Sequence, residues 1–303
     1  MRILCMTLIV ASIGLGTANA DSPWKLEVRE TPLPAGASEQ LRAAISALPQ
    51  PNVAARKGQV PQTREQWMAA IEPNSAVRSQ SLEAIEKQFD LSIKPAKVAG
   101  VDVYYVTPNE VAKEHEKHLF IHVHGGGYVF GGGEACVTEA AVVAGYAKIP
   151  VISIDYRMPP DHPFPAAVDD VVAVYRQLLD KGIPAESMAI GGTSAGGGLS
   201  LASVHKFKEL GLPLVAAVYG GTPWADLSKT GDTLFTNEGL DRVLVTYDGI
   251  LGAMARLYAD DEELTNPLIS PVYGDFRGFP PTYLVTGTRD MFLSDTARTH
   301  RKL

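Results

Sequence analysis

The stretch Met188-Ala189-Ile190-Gly191-Gly192-Thr193-Ser194-Ala195-Gly196-Gly197-Gly198 decides the fold, because a short apolar run ends in it and a helical pattern begins on its far side. Its centre, Gly192-Thr193-Ser194-Ala195-Gly196, has the form G-x-S-x-G, a sharp strand-to-helix turn that presents a serine hydroxyl. The small residues have a physical reason, since side chains beside the serine would collide with the adjoining strand and helix. At the first turn of a helix, the serine oxygen also feels the positive end of the helix dipole. A five-residue pattern with two glycines also suits an inert glycine-rich loop, which Gly191, Gly197 and Gly198 would extend. The strand-turn-helix setting favours the nucleophile, and Ser194 is the candidate.

Upstream, His124-Gly125-Gly126-Gly127-Tyr128 follows directly on the apolar run that ends at Val123. Consecutive glycines let backbone N–H groups turn toward one point, where they can stabilise a developing oxyanion, and the N–H of Ala195 would complete such a hole. A phosphate cradle is the competing reading. Neither a P-loop Lys-Ser/Thr nor a G-x-G-x-x-G fingerprint accompanies these glycines.

Around the two motifs, strands are read at Leu119 to Val123, Val151 to Ile154, Met188 to Gly192, Leu214 to Tyr219 and Thr282 to Thr286. Helices are read near Glu139 to Ala147, Ala166 to Leu179 and Ala195 to Leu210, with a polar then helical region from Thr222 to Asp261. Such alternation implies an α/β fold with a mostly parallel central sheet and helices on both faces. Ahead of it, Ile93 to Val98 and Val101 to Val106 alternate about Ala99-Gly100 and read as an antiparallel pair. Residues 21 to 90 hold two helical stretches, Ser38 to Leu48 and one opened by the capping box Thr63-Arg64-Glu65-Gln66, with Pro49, Pro51 and Pro61 between them. They read as a helical cap region on a catalytic domain of residues 91 to 303.

Residues 1 to 20 differ from the rest: Arg2 precedes an apolar run from Ile3 to Leu15, and Ala18-Asn19-Ala20 closes it. The pattern reads as a secretory signal peptide cut before Asp21, which implies a secreted or periplasmic protein; an uncleaved anchor is the alternative. The apolar run is too short to span a bilayer as a helix, so no stable membrane insertion is expected. Loss of Cys5 with the leader leaves Cys136 unable to form an internal disulfide, and it reads as buried and inert. With 27 basic against 34 acidic residues, a net charge of −7 argues against nucleic acid or anionic membrane as partner.

Three motifs together carry a family resemblance. His124-Gly125-Gly126-Gly127, then Asp155-Tyr156-Arg157-Met158-Pro159-Pro160-Asp161-His162-Pro163-Phe164-Pro165-Ala166-Ala167, then Gly192-Thr193-Ser194-Ala195-Gly196-Gly197, resemble in order and spacing the hormone-sensitive-lipase-like carboxylesterases of the α/β-hydrolases. The middle stretch is similar to that family's Y-R-L-A-P-E-H-P-F-P-A-A, departing at Met158, Pro160 and Asp161. The likeness covers about Ile93 to Arg298, and the N-terminal helices match only in being a cap. It implies Ser194 as nucleophile, Gly125, Gly126 and Ala195 as oxyanion donors, and Arg157 and His162 as structural braces. Thr286-Gly287-Thr288-Arg289-Asp290-Met291-Phe292-Leu293-Ser294-Asp295 is similar to the family's G-x-x-D-x-L-x-x-D. Asp290 is therefore the triad acid the resemblance implies, and Asp295 reads as a residue of the cap of the following helix; a solvated loop aspartate would also suit Asp290 from sequence alone. The implied substrates are short- to medium-chain carboxylic esters cleaved through an acyl-enzyme, with neither metal nor organic cofactor, and a homodimer is admitted.

In that fold the triad histidine follows the acid, on a loop after one more helix and strand. Between Asp290 and Leu303 only the start of a helix fits, so the expectation is a chain cut before its histidine, with the final strand missing and little activity alone. His300 would lie roughly 9 Å along that helix, leading away from the site. The other histidines read as structural: His115 and His118 in a charged loop, His122 and His124 at the glycine motif, His162 in the proline-rich turn and His205 after Ser194. His122 and His124 have no third ligand spaced to make a metal site. Losing a triad member costs about 10⁴ to 10⁶ in turnover, which keeps two other readings open. One is a catalytically dead ligand-binding protein on an esterase scaffold, as in the plant gibberellin receptors that resemble this family; the other is an amide or formamide hydrolase.

Overall fold

The computed structural model describes residues 30–58, 60–78 and 81–303, so the expected leader lies outside the described residues. The described residues fall into two compact units, one ending at Leu48 and one spanning Pro49–Leu303. In the first, helix α1 (Glu39–Ala47) is capped by Ser38, whose hydroxyl accepts from the Leu41 N–H, and none of its residues is buried.

The second unit begins with α2 (Val53–Lys57), α3 (Arg64–Arg78) and α4 (Leu82–Phe89), followed by β1 (Leu91–Val98) and β2 (Val101–Pro108). Then come β3 (Leu119–Val123), α5 (Val137–Ala147), β4 (Val151–Asp155), α6 (Ala166–Asp180), β5 (Met188–Thr193) and α7 (Ala195–Glu209). The chain continues through β6 (Ala217–Gly221), α8 (Thr233–Thr236), α9 (Gly252–Ala259), β7 (Thr282–Val285) and α10 (Leu293–Lys302). One sheet runs β1-β2-β4-β3-β5-β6-β7, with β7 at an edge. β2 is antiparallel to both β1 and β4, and every pair from β4 to β7 is parallel, as the alternation predicts.

The β1–β2 hairpin closes on Ala99 (φ 51°) and Gly100 (φ 83°), a two-residue turn with both φ positive, whose twist matches that of the flanking strands. β6 starts later than the apolar pattern suggests. Pro213 has no N–H, and pairing begins where Ala216 N–H donates to Met188 O at 2.8 Å. Register with β5, from Ala189↔Ala217 to Thr193↔Gly221, therefore sets this strand more than hydrophobicity does. The box opening α3 is displaced as well: Thr63 accepts from Gln66 N–H at 3.3 Å, but the Gln66 carboxamide turns to Gln62 N–H at 2.6 Å.

Side chains alternate across the sheet into two cores. Ile121, Ile152 and Ile154 pack with α6, α7 and Trp67 of α3, while Phe120, Val151 and Val106 pack with α4 and α5. Each fully buried aliphatic side chain contributes roughly 1.5–3 kcal/mol. The two cores clamp the central strands, so the loops at their C-terminal ends stand on a rigid base.

Candidate active site

Ser194 sits at φ 59°, ψ −123° between β5 and α7. Its N–H donates to Gly221 O at 2.9 Å, and its carbonyl accepts from Gly198 N–H at 3.0 Å and Trp224 N–H at 2.9 Å. These backbone bonds fix the bend from both sides. Gly192 and Gly196 are required by the approach of β3, because a Cβ on either would come within 1.8 Å or 2.0 Å of Val123 O.

The triple-glycine loop lies flush against this bend: a Cβ on Gly125 would stand 2.7 Å from Thr193 O. Gly126 has φ 117°, and a Cβ there would meet Phe130 O at 2.0 Å. Among the turn, loop and cap bonds of the described residues, the N–H groups of Gly125, Gly126 and Ala195 donate to no backbone carbonyl. His124 braces the loop from below. Its ring stacks on Tyr156 with centroids 4.1 Å apart, Tyr156 Oη donates to His124 O at 2.9 Å, and Nδ1 lies 2.8 Å from Gly125 O. Burial pulls its pKa down to about 4, so it is neutral at pH 7 and its Nδ1–H faces the carbonyl.

Under Thr193 runs a buried polar chain absent from the sequence reading. His122 Nδ1 is 2.9 Å from Ser153 Oγ, its Nε2 is 3.4 Å from Glu139, and Thr193 Oγ1 donates to the same carboxylate. Burial acts to raise the Glu139 pKa, but His122 and the Thr193 hydroxyl outweigh it and hold the group ionised. Cys136 is buried beside Ser153, and burial pushes its thiol pKa up, which makes it inert as expected.

Asp290 follows β7. Its carboxyl accepts from Phe292 N–H at 2.7 Å, from the Thr222 hydroxyl, and from Thr286 Oγ1 at 3.5 Å. Burial raises its pKa and the neighbouring Asp241 adds to the rise, partly offset by the Phe292 N–H and the Thr286 hydroxyl. One strand, β6, separates β5 from β7, so the strand ends that lead into Ser194 and into the Asp290 turn are two strand spacings apart, about 10 Å. None of the described histidines shares a hydrogen bond with Ser194 or Asp290: His115 and His118 face each other, His205 contacts Pro271 O, and His162 and His300 are exposed.

Two supporting residues differ from their sequence readings. Arg157 does brace its loop, its guanidinium and N–H both meeting Asp170 at 2.7–3.0 Å, but the His162 side chain is exposed. Asp295 is fully buried rather than a helix cap, because the first turn of α10 faces inward; its Oδ2 accepts from Ala225 and Asp226 N–H at 3.2 and 3.0 Å. Burial, with the charge of Asp226 beside it, pushes the Asp295 pKa well up. Asp226 in turn is paired with Arg298 at 2.5 Å.

Two cavities open on Ser194. One of 330 Å³ is apolar, walled by Phe130, Val243, Leu244 and Met254 with Arg56 of α2 at its rim. The other, of 560 Å³, lies on the Gly125 side and includes Glu139 and Thr193. A third, lined by Lys57 and Arg256, does not touch the serine. Among the described residues, no group of three or more His, Cys, Asp or Glu is placed to hold a metal ion, and no helix is long and apolar enough to cross a membrane.

The family model for the alpha/beta hydrolase fold matches residues 120–303. An acetyl-hydrolase of Streptomyces hygroscopicus is 34% identical over 228 residues, covering 75% of this chain and 74% of its own length. Among solved structures, esterase E25 superposes with a TM-score of 0.89 at 49% identity, covering 93% of this chain and 86% of its own. An esterase from the bacterial hormone-sensitive lipase family superposes with a TM-score of 0.69 at 30% identity, covering 82% of this chain and 80% of its own.

Proposed function

The chain belongs to the alpha/beta hydrolase fold family, in its hormone-sensitive-lipase-like branch, and from that premise we propose how it works as a serine hydrolase of carboxylic esters. Ser194 Oγ attacks the ester carbonyl, and the unused N–H groups of Gly125, Gly126 and Ala195 receive the negative charge that develops on its oxygen. A histidine in the gap beside Ser194 takes the hydroxyl proton and passes it to the leaving alcohol, and Asp290 orients that imidazole. Water then releases the acid from the acyl-enzyme. No described histidine fills the gap, so reading the source gene past Leu303 is part of the test.

The observation that carries the reading is a strained serine beside three uncommitted amide N–H groups, with a cavity on either side. The 330 Å³ apolar cavity suits a short or medium acyl chain. Full-length protein should hydrolyse p-nitrophenyl butyrate, and Ser194→Ala or Asp290→Asn should lower kcat by about 10⁴-fold or more. An unchanged rate in Ser194→Ala removes this serine from the mechanism. Export remains part of the proposal, supported by Arg2, the apolar run Ile3 to Leu15 and Ala18-Asn19-Ala20; sequencing the N-terminus of the protein from its source tests it, with Asp21 expected first.

A further inference from the structure

Asp241 lies in the loop between α8 and α9, is 8% exposed, and spends both carboxyl oxygens on backbone N–H groups. Oδ1 accepts from Val243 at 2.8 Å and Leu244 at 3.0 Å, the two residues that form one wall of the apolar cavity at Ser194. Oδ2 accepts from Met291 at 3.0 Å, the residue directly after Asp290. The same loop holds the acid turn a second time, through Asn237, whose carboxamide donates to Asp290 O at 2.8 Å and Thr288 O at 3.3 Å. The Asp241 N–H donates to Asn237 O at 3.0 Å, which makes the clamp one local unit. Val243 beyond it is 82% exposed, so at that position the bond to Asp241 rather than side-chain packing holds the wall, whereas Leu244 also packs against the core.

Resting on the esterase reading, we propose that Asp241 is a positioning residue that ties the wall of the acyl cavity to the turn carrying the triad acid. One buried carboxyl group then sets both the placement of Asp290 and the chain length the cavity admits. A wall that shifts draws on the Met291 amide, and an acid turn that shifts draws on Val243 and Leu244.

Two substitutions separate the halves of this role. Asp241→Asn keeps an oxygen able to accept from Val243 and Leu244, but turns an –NH2 toward the Met291 N–H, donor against donor. Asp241→Ala removes all three bonds. Hydrolysis of p-nitrophenyl acetate, butyrate and hexanoate is followed on full-length wild type and both variants, with Ser194→Ala as blank. Asp241→Asn should lower kcat about tenfold at every chain length while keeping the hexanoate-to-acetate ratio of kcat/KM within about twofold. Asp241→Ala should lower kcat at least as far and change that ratio about fivefold or more. An unchanged ratio in Asp241→Ala, or an equal change in both variants, overturns the proposal. Hydrogen exchange by mass spectrometry judges the tie without any activity: Asp241→Ala should speed exchange in both 241–246 and 288–293, and a change confined to one segment overturns it. Should wild type prove no faster than Ser194→Ala, the esterase reading fails, and the exchange result alone decides whether the tie exists.

Discussion

Replacing Ser194 by glycine should stabilise this protein, whereas replacing it by alanine should not. At φ 59°, ψ −123° any residue with a Cβ is strained, at a cost of about 1–3 kcal/mol. Glycine removes that strain but gives the unfolded chain more freedom, which returns roughly 0.5–1 kcal/mol. The net gain is about 1 kcal/mol, or roughly 2–4 °C in Tm for a domain of this size. Alanine keeps the Cβ and therefore the strain, and the bonds to Gly221, Gly198 and Trp224 all use the backbone of Ser194, so neither variant loses them. Thermal melts of the three proteins, supported by urea titration at fixed temperature, read the difference directly. A glycine variant no more stable than the alanine variant would refute the idea that the bend stores strain.

Asp295→Asn should change how stability depends on pH. The unfolded carboxyl ionises near its usual 3.8 and burial raises the folded one, so above that value the contribution of Asp295 itself to stability falls, by at most about 1.4 kcal/mol per pH unit, until the folded group ionises too. The asparagine has no such proton, so its advantage should widen with the same slope; parallel urea-denaturation curves between pH 4 and 7 would count against this. Gly126→Ala should cost about 10² or more in kcat with a smaller change in KM, because a Cβ at φ 117° drives into Phe130 O and turns the amide away from the oxyanion. Steady-state kinetics that show only a raised KM would argue that Gly126 binds substrate rather than the transition state.

The elements that carry Ser194 are legible because their signals are local. Strand, glycine bend and helix follow one another within Met188 to Glu209, and the hairpin turn at Ala99-Gly100 is named by its own two residues. The start of β6 is not legible in its apolar pattern because it depends on pairing with β5, outside any local window of sequence. The loops from Thr222 to Asp248 were opaque for the same reason: Asp226 finds Arg298, Asp241 finds Met291, and Asp295 finds Ala225, with no periodicity or short motif to announce any of them. Asp295 reads as a cap residue because aspartate near a helix start usually caps it, and only the inward face of α10 shows that it is buried. The chain Ser153, His122, Glu139 and Thr193 draws on three strands and one helix, so no window of sequence contains it.

The clamp at Asp241 also bears on engineering. Segments that shape a binding cavity are natural units for shuffling between homologous enzymes, and the residues from 237 to 254 invite such an exchange. A crossover placed between this loop and residues 288–291 would unite halves never selected together, leaving a buried acid facing mismatched amides. Chimeras that inherit both pieces from one parent should therefore keep their turnover, and those that split them should lose it even when every catalytic side chain is present.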